Sequence, residues 1–235
     1  MPGAVLFVLT SHADLGDTGS KTGTWLEELA SAYYVLVDAG YAVQLASVAG
    51  GAAPIDPASL DDPWLTDAGR RFQADAEASA ALAATPRLAD VDAAGFDAVY
   101  YVGGAGAAWD FPIDGDVRRI AEAIDRAGGV VSGVCHGVLG LTTAMRADGM
   151  PLVAGREVTG VSNKEEELTT FDKVVPVLPE NRLVELGGVY GCASEPFGAY
   201  VAVDGNLVTG QNPASAPYVA RVMIERLTAS VAAPA

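Results

Sequence analysis

The sequence predicts an α/β fold: a mostly parallel central sheet with helices on both faces. Three observations predict it. The chain opens β-α-β, with an apolar run at 4–10, a helical period over 24–39 and a second run at 41–47. Parallel neighbours need such a crossover. The apolar runs are continuous rather than alternating, as strands buried on both faces require. Two later runs, 96–102 and 129–134, end in Gly103-Gly104-Ala105-Gly106 and Cys135-His136-Gly137. Ligands of open α/β sheets bind beyond the carboxyl ends of strands.

The elements follow in order. Residues 4–10 (A-V-L-F-V-L-T) form the first strand, and 16–23 supply polar turn residues. Trp25, Leu26, Leu29, Ala30, Tyr33, Val35 and Leu36 keep helical spacing, which stops at Gly40 as a C-terminal cap would. Residues 41–47 (Y-A-V-Q-L-A-S) form the second strand. The stretch 48–95, rich in Ala, Asp and Pro, has a weak strand signal. It reads as an excursion: turns at Asp56-Pro57, then one helix around 71–82. A third strand at 96–102, a helix over 116–127, a fourth strand at 129–134 and a helix over 138–146 come next. Further strands fall near 157–160, 199–203 and 206–209, and a last helix over 213–227. There is no internal repeat or low-complexity linker. The expectation is one domain, 1–235, with a cap-like insertion around 48–95, in a three-layer α/β/α, flavodoxin-like arrangement.

Composition excludes several classes. The chain has 235 residues, 14 basic and 30 acidic, for a net charge of −16. Half of it is apolar, which argues against disorder. An acidic chain repels phosphate backbones and lacks the basic clusters of membrane-surface binders, so no nucleic acid or membrane partner is expected. The first apolar run has no basic residues before it and soon meets Ser11, His12 and Asp14, unlike a signal peptide or span. Two cysteines, Cys135 and Cys192, make no disulfide scaffold and point to a reduced, cytoplasmic compartment. Nothing in the spacing of the two histidines, His12 and His136, supports a metal site, and no cofactor is expected.

The chemistry-bearing segment is 130–138, V-V-S-G-V-C-H-G-V. A strand runs through Gly-x-Cys-x-Gly into a helix, the cysteine form of a nucleophile elbow. A buried structural cysteine is the bland alternative; the glycine spacing favours the elbow. The His136 N–H then faces an oxyanion, and a helix N-terminus favours thiolate. The glycine loop at 103–106 offers further N–H donors. Glu27 and Glu28 are about 100° apart on the first helix, so at most one faces the site. Of Glu165, Glu166 and Glu167, Glu165 suits a capping box with Ser162, which leaves Glu166 as the better acid. Cys192 has no elbow and reads as a spectator, and His12 as a surface or capping residue. Trp25, Trp109 and Tyr33 read as core or pocket walls, and Asn212-Pro213 as a helix start.

These residues resemble the ThiJ/PfpI superfamily, with its class I glutamine-amidotransferase-like fold. Within it they are most similar to the heat-shock-chaperone and glyoxalase III branch. The matching pieces are Thr10-Ser11, Lys21-Thr22-Gly23 with Glu28, and I-D-P-A-S-L at 55–60. They continue with Gly103-Gly104-x-Gly106-x-x-Trp109-Asp110, the Cys135-His136-Gly137 elbow, T-G-V-S-N at 159–163 and T-G-Q-N-P-A-S at 209–215. The resemblance implies Cys135 as nucleophile and His136 as general acid/base, oriented by a carboxylate placed at Glu166. It implies Glu28 beside the thiol, sharing its proton, and an oxyanion hole from the N–H groups of Gly104 and His136. The implied activity turns a small aldehyde, methylglyoxal, into lactate without glutathione or metal, and a homodimer stays open. One position departs: this branch often has His where this chain has Ala105. No histidine follows His136, so the Cys-His-Glu triad of true amidotransferases is excluded. The alternatives are a Cys-dependent amidase, peptidase or hydratase, or a holding chaperone or oxidative-stress sensor with an oxidised Cys135.

Overall fold

In the computed structural model, which describes residues 3–232, the continuous apolar runs become the centre of one sheet. Residues 1–2 and 233–235 of the expected 1–235 domain lie outside the described residues. The elements are β1 (Ala4–Leu9), α1 (Leu26–Asp38), β2 (Ala42–Ser47), α2 (Asp67–Ala74), α3 (Ala76–Ala83), β3 (Ala98–Tyr101), α4 (Ala107–Asp110), α5 (Gly115–Arg126) and β4 (Val130–Val134). After them come β5 (Glu157–Val158), α6 (Asn163–Thr169), α7 (Pro179–Glu185), β6 (Val189–Tyr190), β7 (Val201–Asp204), β8 (Leu207–Gly210) and α8 (Ala216–Ala232).

The six-stranded sheet has the order β2-β1-β3-β4-β8-β7, and β5 pairs with β6 apart from it. Every pair is parallel except β7 with β8. Alternate residues of each strand feed opposite faces. On one face Leu6, Val8, Val99, Tyr101 and Val131 meet Val117, Ile120 and Ile124 of α5. On the other, Val5, Phe7, Leu9, Tyr100 and Val208 meet Leu26 and Leu29 of α1 and Val219 and Met223 of α8. Both faces are covered, so the expected three-layer arrangement stands.

Two expected helices differ. The single helix around 71–82 is two, α2 and α3, broken at Asp75. Its carboxylate accepts from the N–H groups of Glu77 and Ala78 and from the Tyr34 hydroxyl, at 2.9 Å in the last case. This local cap competes with helix continuation. The α-helix expected over 138–146 is a 3-10 turn over Cys135–Leu141. Here Gly137 lies against the Tyr101 backbone and Gly140 against the Tyr101 ring, so close that a Cβ on either would collide. Two glycines in seven residues also give little α-helical preference. The final helix runs on past 227 to Ala232, after a 3-10 turn at Pro213–Ser215. The short elements α4, α7 and β6 had no distinct sequence signal.

Candidate active site

The strand β4 is buried and ends at Val134. Cys135 then takes a left-handed φ of 55°, one of three described non-glycine residues with positive φ. That turn lifts the thiol above the sheet's carboxyl end, as an elbow does. Two residues past the neighbouring strand β3 lies Gly103, whose O accepts from the Trp25 N–H at 3.0 Å. This bond fixes the start of α1 beside the elbow. A Cβ on Gly103 would collide with the Glu28 carboxyl and with the Cys135 side chain. Glycine there is what lets the acid and the thiol meet.

Glu28 is fully buried, and neither of its oxygens closes a hydrogen bond. Burial pushes its carboxyl well above the usual carboxylate range; the Cys135 thiol and the Gly103 N–H act the other way. It therefore holds its proton more tightly than an exposed glutamate. The Cys135 thiol is also pushed up, first by burial, then by Glu28 and Glu166, against the His136 N–H that faces it. The expected bias toward thiolate is therefore corrected. Desolvation and two neighbouring acids outweigh the dipole of one short 3-10 turn.

The His136 Nδ1 lies 3.4 Å from the Cys135 Sγ. Its Nε2 is 2.7 Å from the Glu166 Oε1, with both side chains nearly inaccessible. The ring N–H is not aimed along that line, so the contact is one of ion-pair distance rather than an aligned hydrogen bond. Glu165 is occupied elsewhere. Its Oε2 accepts from the Ser162 N–H and hydroxyl and from Gln211 Nε2, at 2.8–2.9 Å. Its Oε1 accepts from Asn212 Nδ2 and the Phe197 N–H, at 2.8 and 2.9 Å. The Ser162 hydroxyl in turn accepts from the Glu165 N–H, completing a capping box at the start of α6.

Cys135, His136, Glu28, Glu166 and Gly104 all line one cavity of about 90 Å³. The cavity is open on one side, so a ligand can reach the thiol and extend past the rim. Its other walls include Trp25, Trp64, Ala105, Val161, Phe171 and Phe197, and no Lys or Arg lines it. Residues 64, 171 and 197 lie on turns or their flanks far apart in sequence, and only an aromatic isolated in the polar 48–95 stretch could have flagged Trp64. His12 does not line the cavity; its ring stacks on Trp109 at 4.7 Å and its Nε2 is 2.6 Å from the Asp14 O. Cys192 is exposed, without a disulfide. Asn212, read as a helix start, does cap the 3-10 turn and also binds Glu165. Among the described residues no group of three or more His, Cys, Asp or Glu could hold a metal ion. No described helix is long and apolar enough to cross a membrane.

Known proteins share this architecture and sequence. Glyoxalase 3 of Candida albicans is 30% identical over 228 residues, covering 94% of this chain and 96% of its own. The glutathione-independent glyoxalase HSP31 of Saccharomyces cerevisiae is 30% identical over 236 residues, covering 96% and 98%. The X-ray structure of the Francisella tularensis Rapid Encystment Protein 24 KDa superposes with a TM-score of 0.91 at 36% identity, covering 96% of this chain and 99% of that one. Residues 21–226 match the DJ-1/PfpI family as a whole. With its sheet order, cysteine elbow and near full-length relatives, the chain belongs to the DJ-1/PfpI family.

Proposed function

We propose that the chain is a glutathione-independent glyoxalase that converts methylglyoxal to lactate. One observation carries the reading: a thiol, an imidazole and two buried acids, Cys135, His136, Glu28 and Glu166, face one small cavity without a cation. The relatives named for this activity supply the substrate class, a small 2-oxoaldehyde.

The chemistry balances with these groups. His136 Nδ1 takes the thiol proton, and Glu166 stabilises the imidazolium. The thiolate adds to the aldehyde carbon, while the N–H groups of Gly104 and His136 face the developing oxyanion. That oxygen takes the imidazolium proton, which gives a hemithioacetal. His136 then removes the proton on the former aldehyde carbon, and protonated Glu28 gives its proton to the ketone oxygen. The product is an enediol. His136 delivers its proton to the second carbon, and the remaining hydroxyl proton returns to Glu28, leaving a lactoyl thioester on Cys135. Water cleaves it, releasing lactate and the thiol. The cycle starts from a protonated Glu28 carboxyl, the form that burial favours.

In this reading residues 48–95 form a cap-like insertion in one domain, contributing Trp64 to the cavity. A resting thiol also fits the reduced, cytoplasmic compartment. The buried Cys135 thiol, pushed up in pKa, counts against the oxidant-sensor reading, which needs an accessible thiolate. The test is lactate formation from methylglyoxal by the reduced protein without glutathione. Wild type is expected to form it and Cys135→Ala to lose it; a wild-type protein that makes none overturns the reading.

A further inference from the structure

We propose that Trp64 and Phe197 select the substituent of the substrate, so that the site prefers uncharged 2-oxoaldehydes bearing an apolar or aryl group over glyoxal and over aldehydes that carry a carboxylate. The inference rests on the glyoxalase reading and adds the residues that choose among substrates.

Two large apolar side chains stand where folding alone gives no reason for them. Trp64 is 43% exposed and Phe197 40% exposed, yet both line the cavity that holds Cys135. Each has one part in water and one in the cavity, as the rim of a site does. They come from distant segments: Trp64 from the turn before α2, Phe197 from the loop before β7. Their ring centroids are 6.3 Å apart, and Trp64 meets Trp25 edge-on at 5.8 Å. The three rings make a continuous aromatic arc at the mouth.

Phe197 is held there rather than drifting on a loop. It has a left-handed φ of 63°, a conformation unusual for a bulky residue. Its N–H is bound at 2.9 Å by Glu165, whose own oxygens are fixed by four further donors. The capping acid of α6 thus positions one wall of the mouth.

The reaction fixes which end of the substrate meets these rings. The aldehyde carbon must reach the Cys135 thiol among the strand ends, so the second carbonyl's substituent points back toward the mouth. A methyl or phenyl group there buries apolar area against Trp64 and Phe197; the hydrogen of glyoxal buries none. A carboxylate there meets a cavity with three glutamates and no Lys or Arg. It would lose its water without gaining a partner.

The experiment compares kcat/KM for phenylglyoxal, methylglyoxal, glyoxal and the carboxylate-bearing 2-oxoaldehyde 4,5-dioxopentanoate in wild type, Trp64→Ala and Phe197→Ala. Wild type is expected to rank them in that order. A single group in an apolar pocket separates substrates by about 10-fold or more. Each variant is expected to lose about that factor for phenylglyoxal through KM, and less than about 3-fold for glyoxal. Trp64→Phe is expected to keep the aryl preference, which shows that the ring acts and not the fold. Equal losses for all substrates, no loss for phenylglyoxal, or 4,5-dioxopentanoate turned over as well as glyoxal would each overturn the proposal. Binding gives a second readout: the equilibrium affinity of Cys135→Ala for phenylglyoxal, with and without Trp64→Ala. If wild type acts on no aldehyde, the glyoxalase reading fails alone. The rim proposal then stands if Trp64→Ala weakens that binding by about 10-fold, and falls if it does not.

Discussion

Helices α1 and α6 each begin with two consecutive glutamates in the first turn, Glu27-Glu28 and Glu165-Glu166. In both, the first acid ties the helix to another segment and the second turns toward the elbow. The reason is geometric: neighbours on a helix diverge by about 100°. Glu27 accepts from the Thr66 hydroxyl, the N-cap of α2, while Glu28 faces Cys135. Glu165 gathers five donors, while Glu166 reaches His136. The helices differ in how the second acid is answered. Glu28 has no cation beside it, and burial makes it hold its proton more tightly; Glu166 has an imidazole at 2.7 Å. One residue type thus does three jobs, set by the donors each carboxyl meets.

Substitution of each acid tests this division, beginning with the largest effect. Glu166→Gln keeps the shape but removes the charge that supports imidazolium, so lactate formation is expected to fall about 10²–10⁴-fold. Its melting temperature is expected to stay close to wild type. If stability falls and turnover does not, Glu166 is structural and the comparison breaks. Glu165→Ala reverses the pattern. It orphans five donors, most of them buried, at a cost of about 3–5 kcal/mol. A melting-temperature drop of roughly 6–20 °C is expected on calorimetry.

Glu28→Gln is expected to lower turnover at least about 10²-fold, because an amide cannot relay a proton. Its effect on stability carries a sign. Glu28 holds its proton more tightly in the fold than the ordinary value of 4.5 for the unfolded chain. Its contribution to stability is therefore complete below that pH and is lost as pH rises through the folded value. The variant lacks that loss. Its melting temperature relative to wild type should climb from pH 4.5 upward. A flat difference would show that Glu28 is not protonated by its surroundings. Glu27→Gln is the mildest change: one part-buried contact to Thr66 is weakened, for about 1 kcal/mol and a shift of roughly 2–4 °C. A larger loss in turnover than Glu28→Gln causes would reverse the roles assigned within α1.

Much of this was legible in the sequence because it depends on local rules. The strands at 4–10 and 129–134 are continuous apolar runs, and only a doubly covered sheet hides them. The Ser162–Glu165 capping box has a fixed three-residue spacing. What was not legible depends on contacts between distant residues. The 3-10 form of Cys135–Leu141 follows from the approach of Tyr101 to Gly137 and Gly140. The break at Asp75 involves the Tyr34 hydroxyl. The thiol's raised pKa comes first from its burial and then from Glu28 and Glu166, which lie on different helices. The mouth needs Trp64 and Phe197 to meet, and no periodicity links residues so far apart.

The left-handed backbone of Cys135 has a consequence for how the chain matures. A non-glycine residue in that region costs on the order of 1–3 kcal/mol, and persists only where its surroundings over-determine it. Here those surroundings are β4, the Tyr101 side of the 3-10 turn and the start of α1, segments that meet only when the sheet is assembled. A nascent or partly unfolded chain has nothing to hold the elbow bent. The bent elbow, and the meeting of the thiol with His136 and Glu28, therefore come into being only with the tertiary structure.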